Sequence, residues 1–115
     1  MLRFFLVWIL LFTAASCASW GPRDPEQAEL HLRVGSSLLE SGSYPQALSE
    51  LLKAEELDPE NAMIQNNLGL VYFARERLEL SEKHIRRAIA LDPKFTDAKN
   101  NLGRVLIESK KYEEA

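Results

Sequence analysis

At 115 residues the chain holds at most one small domain, and its 46% hydrophobic and 27% charged composition is that of a globular protein, which argues against disorder. Lys and Arg number 14 against 17 Asp and Glu, for a net charge of −3, and every acidic residue lies beyond position 23, so loss of Arg3 with the N-terminus leaves 13 against 17, or −4. That balance supplies no basic face for nucleic acid, and Cys17 as the only cysteine excludes an intrachain disulfide and a four-thiolate zinc site.

The first segment, residues 1–16, has the layout of a secretory signal: Arg3, then the unbroken apolar run Phe4 to Phe12, then the small residues Thr13-Ala14-Ala15-Ser16. Extended to Ala15, the apolar stretch is about 12 residues, or ~18 Å of helix at ~1.5 Å per residue. A bilayer core is about 30 Å thick and needs ~20 apolar residues, so a membrane-spanning anchor is disfavoured. Ala14-Ala15-Ser16-Cys17 resembles a bacterial lipobox, with Ala14 where that family usually has Leu. The resemblance implies lipidation of Cys17 and, with Ala18 rather than Asp after it, a periplasmic location at the outer membrane. Ordinary cleavage after Ser16 or Ala18, giving a secreted or soluble periplasmic protein, stays open, as does an uncleaved anchor. Residues 17–27 read as a tether, in which Gly21, Pro22 and Pro25 oppose regular structure.

Everything beyond the tether repeats. Asn66-Asn67-Leu68-Gly69 recurs as Asn100-Asn101-Leu102-Gly103, and Leu57-Asp58-Pro59 as Leu91-Asp92-Pro93, both at an offset of 34. Units therefore run over 28–61 and 62–95, with a partial third over 96–115. Their seventh and eighth positions are Val34-Gly35, Leu68-Gly69 and Leu102-Gly103; their twentieth are Ala47, Ser81 and Ala115. Leu51 matches Ile85, Ala54 matches Ala88, and Pro59 matches Pro93.

This pattern resembles the tetratricopeptide repeat (TPR) across residues 28–115. The resemblance implies an all-α solenoid of helix pairs, with two full repeats and the first half of a third. Helices are expected at 27–41, 44–57, 61–75, 78–91 and 95–109, with Lys110 to Ala115 opening a sixth. Leu30, Val34 and Leu38 share one apolar face of the first helix. A glycine costs about 1 kcal/mol inside a helix, so its recurrence at the eighth position implies close contact between the helices of a pair. Ser41-Gly42-Ser43 makes the first turn, and Arg75-Glu76-Arg77 makes the second without a glycine. Because each unit buries its face on the next, the chain is expected to be a truncated or partial array.

No catalytic or metal motif is found. His31 and His84 have no metal-ligand spacing; His31 is read as a packing residue and His84 as part of the solvated run Glu82 to Arg87. Glu55-Glu56 and Glu113-Glu114 are neighbours that diverge on a helix. No enzyme activity, cofactor, metal or small-molecule substrate is expected. By resemblance, the second, fifth, sixth, ninth, twelfth and thirteenth positions line a concave groove for a protein or peptide. The candidates are Asn66, Asn67, Leu70 and Phe73 in the second unit, and Asn100, Asn101, Arg104 and Ile107 in the third; Arg33 and Ser36 stand in the first. An amide donates and accepts together, which suits the asparagines to clamping a peptide backbone or to bonding neighbouring helices to each other. Leu70, Phe73 and Ile107 are expected to make a mostly apolar floor, either a binding patch or a seat for a further repeat. The fifth and ninth positions carry no lysine, so the carboxylate clamp of some family members is expected only in the weaker form that Arg33 and Arg104 permit. The layout is similar to that of tetratricopeptide lipoproteins that assist assembly of type IV pilus secretins. A recognition arm of a longer envelope enzyme, and a self-associating structural module, are the alternatives.

Overall fold

The computed structural model describes residues 21–114, so Cys17 and the signal segment lie outside the described residues. Five α-helices follow in order: α1 Pro25–Glu40, α2 Tyr44–Leu57, α3 Ala62–Ala74, α4 Leu78–Leu91 and α5 Thr96–Glu114. There is no strand among the described residues.

Local chemistry starts and stops these helices. The Asp24 carboxylate accepts from the Gln27 N–H at 3.0 Å to cap α1, with Pro25 in the first turn. Asn61 caps α3 by accepting from the Met63 and Ile64 N–H groups. Asp58-Pro59 and Asp92-Pro93 end α2 and α4, because proline disfavours helical geometry in the residue before it. The two turns inside the pairs share one device. Gly42 takes φ 81°, and Glu76, its counterpart one repeat on, takes φ 62°. The Ser43 N–H then closes on the Leu38 carbonyl at 2.9 Å, and the Arg77 N–H on that of Tyr72 at 2.8 Å. Glu76 adopts the left-handed conformation without glycine's freedom, held by that closure.

Helices pair as α1 with α2 and α3 with α4, and α5 packs onto α4. A Cβ on Gly35 would stand 2.7 Å from Leu51 Cγ, and one on Gly69 would overlap Ile85 Cγ1 and lie 3.2 Å from the Ser81 carbonyl. Leu51 and Ile85 are fully buried, as are Ala47, Ala54, Ser81 and Ala88 on the same faces. Burying a Leu or Ile side chain is worth about 1.5–3 kcal/mol, so these two contacts hold the pairs together. Ser81, where the first repeat has Ala47, donates to the Gly69 carbonyl at 2.7 Å and so stays satisfied in the core.

Four expectations need correction. Leu30 and Val34 are 58% and 49% exposed, and α1 instead buries Ala28, Leu32 and Gly35. Their counterparts Ile64 and Leu68 are fully buried because α2 precedes α3, whereas no described helix precedes α1. Gly103 makes no close contact, since no described helix packs on its side of α5. The break expected after residue 109 is missing too: α5 runs on to Glu114. Lys110 stands where Gly42 and Glu76 reverse the chain, but with no described helix after α5 to pack back, Lys110-Lys111 keep their good helix propensity. The fourth, His84, belongs to the cleft described below.

These contacts make opposite signs measurable. Gly69→Ala should lower unfolding stability by about 1–3 kcal/mol through overpacking, while Gly103→Ala should raise it by up to about 1 kcal/mol. Urea unfolding followed by circular dichroism checks both.

Candidate functional site

The first helices of the units, α1, α3 and α5, lie side by side and present one shared face. A line of side-chain hydrogen bonds crosses it. Ser36 Oγ on α1 donates to the Leu32 carbonyl at 2.7 Å and accepts from Asn67 Nδ2 at 2.8 Å. Asn66 Nδ2 donates to Asn67 Oδ1 at 3.4 Å, and Asn66 Oδ1 accepts from Asn101 Nδ2 on α5 at 3.0 Å. Arg104 extends the line to Asn101 Oδ1 at 3.5 Å and sets its guanidinium 5.2 Å from the centre of the Phe73 ring.

The candidate residues thus divide. Asn66 and Asn67 are 4% and 8% exposed and link the three helices. Leu70 and Phe73 are half-buried in the floor, and Asn101 is half-buried at its edge. Asn100, Arg104 and Ile107 are exposed, Ile107 by 61%. Together they line the face expected to be the groove: a satisfied polar spine, the half-buried Leu70 and Phe73, and a guanidinium over the Phe73 ring. Arg33, in the first unit, is exposed and tied to Glu29 at 3.0 Å.

On α3, Gln65 and Asn67 are two residues apart and so point about 200° from each other around the helix. Gln65 therefore opens onto the opposite side, into a cleft of about 880 Å³ between α2 and α4. There Gln65 Nε2 donates to Glu55 Oε2 at 2.8 Å, and Gln65 Oε1 meets His84 Nδ1 at 2.8 Å. The His84 ring stacks on Tyr72 with centroids 5.3 Å apart. His84 is thus a half-buried, bonded group and not part of a solvated run. Burial holds its imidazole below the ordinary value; Glu55 at 3.8 Å pulls it upward, and Lys83 adds to the lowering. The same positions pair in the first unit, where His31 Nδ1 meets Glu50 Oε2 at 2.6 Å. That bond, with help from Lys53, lowers the Glu50 carboxyl below its usual range. Both pairs are 19 residues apart, a recurrence visible in the sequence once the fourth and twenty-third positions are compared. Among the described residues no group of three or more His, Cys, Asp or Glu is placed to hold a metal ion, and no described helix is long and apolar enough to cross a membrane.

Stacked helix pairs with a shared face on their first helices define a helical-repeat protein. A family profile described as TPR repeat matches residues 35–76, and one described as tetratricopeptide repeat matches residues 66–115. Jointly they span most of the described residues, and the chain belongs to the tetratricopeptide-repeat family. It is similar to the first TPR of Spaghetti (RPAP3) bound to the HSP90 peptide SRMEEVD, with a TM-score of 0.74 and 25% identity over 80% of this chain and 73% of that chain. The second TPR of Spaghetti (RPAP3), bound to the same peptide, gives 0.71 and 24% over 78% and 83%. No curated protein sequence matches the chain significantly.

The buried imidazole makes stability depend on pH. Folding favours the neutral ring, so its contribution is complete above the unfolded value of 6.5 and is lost as pH falls through the lower folded value. The thermal midpoint should drop on acidification from about pH 7 to about pH 5, above the range in which Glu50 titrates. His84→Gln should flatten that drop in a pH series of melting curves.

Proposed function

We propose that this protein is an interaction scaffold that holds an extended peptide or protein segment in the groove across α1, α3 and α5. The observation that carries this reading is the half-buried apolar floor of Leu70 and Phe73 beneath a guanidinium already positioned by Phe73 and Asn101. Such a surface offers an apolar seat and a donor at a reduced ordering cost. The two repeat domains of similar fold carry a bound peptide, which supports the same use here. Asn66 and Asn67 are buried and bonded to their neighbours, so in this reading they shape the groove, while the exposed Asn100, Arg104 and Ile107 and the half-buried edge residue Asn101 meet the partner.

The N-terminal segment supports the cellular half of the reading: export, lipidation at Cys17 and residence at the outer membrane on its periplasmic side. A short linker and repeats that begin at once suit a scaffold for an envelope complex, of which a type IV pilus secretin is one example.

Two experiments test these halves separately. Peptides selected from a displayed library on the full chain should lose at least about tenfold in affinity to Arg104→Ala with Ile107→Ser, with an unchanged melting point, by calorimetric titration. Equal affinity for the double variant would place the binding face elsewhere. In bacteria fed a palmitate analogue, label on the wild type should vanish in Cys17→Ala, and label retained there would remove lipidation at this residue.

A further inference from the structure

The cleft behind the groove is chemically unlike the rest of the molecule. Arg23 of the linker and Lys83, Arg86 and Arg87 of α4 line it, against the two carboxylates Glu55 and Glu56. This cationic excess sits on a chain whose net charge is −3. Among the described residues Lys83 and Arg87 have no carboxylate within ion-pair distance. Arg23 and Arg86 pair with Glu60 and Glu82 at 3.0 Å, both at exposed sites where such pairs are weak and exchange readily. Glu55 is turned inward onto Gln65, and the lowered His84 adds no charge near neutrality.

The linker fixes where the chain enters. The Asp24 N–H donates to the Leu57 carbonyl at 3.1 Å, and the Arg23 guanidinium holds Glu60. Gly21 is thereby held at the cleft, with Arg23 beside it. Cys17 precedes Gly21 by four residues, which span at most ~14 Å. A membrane holding Cys17 would therefore meet this face first, and the groove, on the opposite side of α3, would face away from it.

We infer that the cleft formed by Arg23, Lys83, Arg86 and Arg87 docks on the anionic phospholipid headgroups of a bilayer and so orients the repeat array with its groove outward. The choice of occupant rests on the membrane-anchoring reading of Cys17. The docking itself rests on charge and geometry: each basic side chain near an anionic surface raises partition about fivefold, within a Debye length of roughly 8–10 Å.

The test is vesicle flotation of the full chain, produced without lipidation, on neutral phosphatidylcholine and on phosphatidylcholine with phosphatidylglycerol. The apolar N-terminus, with Arg3 and the terminal amine, contributes equally in every variant, so the cleft is read from how far a charge reversal within it lowers the anionic excess. Binding to the anionic vesicles should exceed neutral binding by at least about tenfold at low salt and fall as salt rises. Lys83→Glu with Arg87→Glu should cut the excess at least about tenfold, while Lys94→Glu with Lys99→Glu, outside the cleft, should retain most of it; circular dichroism checks that each variant is folded. Equal binding to both vesicles overturns the inference, as does an excess that the Lys83 and Arg87 reversal leaves undiminished. Capture of poly-glutamate by the wild type without any vesicle excess overturns it in favour of an acidic protein partner. Failure here with Cys17-dependent palmitate label intact leaves the anchor standing, and a vesicle excess without that label removes the anchor alone.

Discussion

The closeness of two helix backbones at Gly35 and Gly69 is the constraint on which the rest of the structure depends. Leu51 and Ile85 occupy the space that a Cβ would take, and this sets the distance between the helices of each pair. Only small residues then fit a turn before and a turn after these contacts, which is why Ala47, Ser81, Ala54 and Ala88 are fully buried. Because α2 and α4 sit close behind them, α1, α3 and α5 come side by side at the front. Asparagine amides can then span from one first helix to the next, at 2.8 Å to Ser36 and 3.0 Å from Asn101.

The same logic explains where the stack exposes apolar surface. A residue at the seventh position is buried only if a helix lies in front of it. Leu68 has α2 and is fully buried; Val34 has no described helix before it and is 49% exposed. At the other end, Gly103 faces open space and Leu106 is 41% exposed. Burial in a solenoid belongs to the neighbour as much as to the residue, since each unit contacts only the units beside it.

This is also the line between what the sequence made legible and what it did not. The 34-residue period located the pairs, and it placed α2 at 44–57 and α4 at 78–91 as observed, because Asp-Pro steps and turn residues mark their ends. It placed the groove positions on the first helices by resemblance. It did not distinguish Asn66, at 4% exposure, from the exposed Asn100, because the two share a repeat position and differ only in what packs beside them. Nor did the charged run around His84 reveal that its ring stacks on Tyr72 and bonds to Gln65. Those partners lie on another helix, and a local pattern of charge carries no record of them. The continuation of α5 past Lys110 has the same origin: a turn that needs a following helix to fold onto is not encoded in the turn alone.

Gln65, Asn66 and Asn67 show why polar residues are placed at the most enclosed part of the chain. All three are buried, each with a named partner, and they divide between the two faces of α3. An unsatisfied buried amide costs about 1–3 kcal/mol, so these residues are tolerated only in the arrangement that supplies Ser36, Asn101, Glu55 and His84 together. Apolar side chains of similar size would accept many small rotations of one repeat against the next. The amides accept few, because each donor must meet its acceptor. The floor of the groove and the basic cleft behind it are built on opposite sides of this one helix. Fixing the angle of α3 against its neighbours therefore sets both surfaces at once.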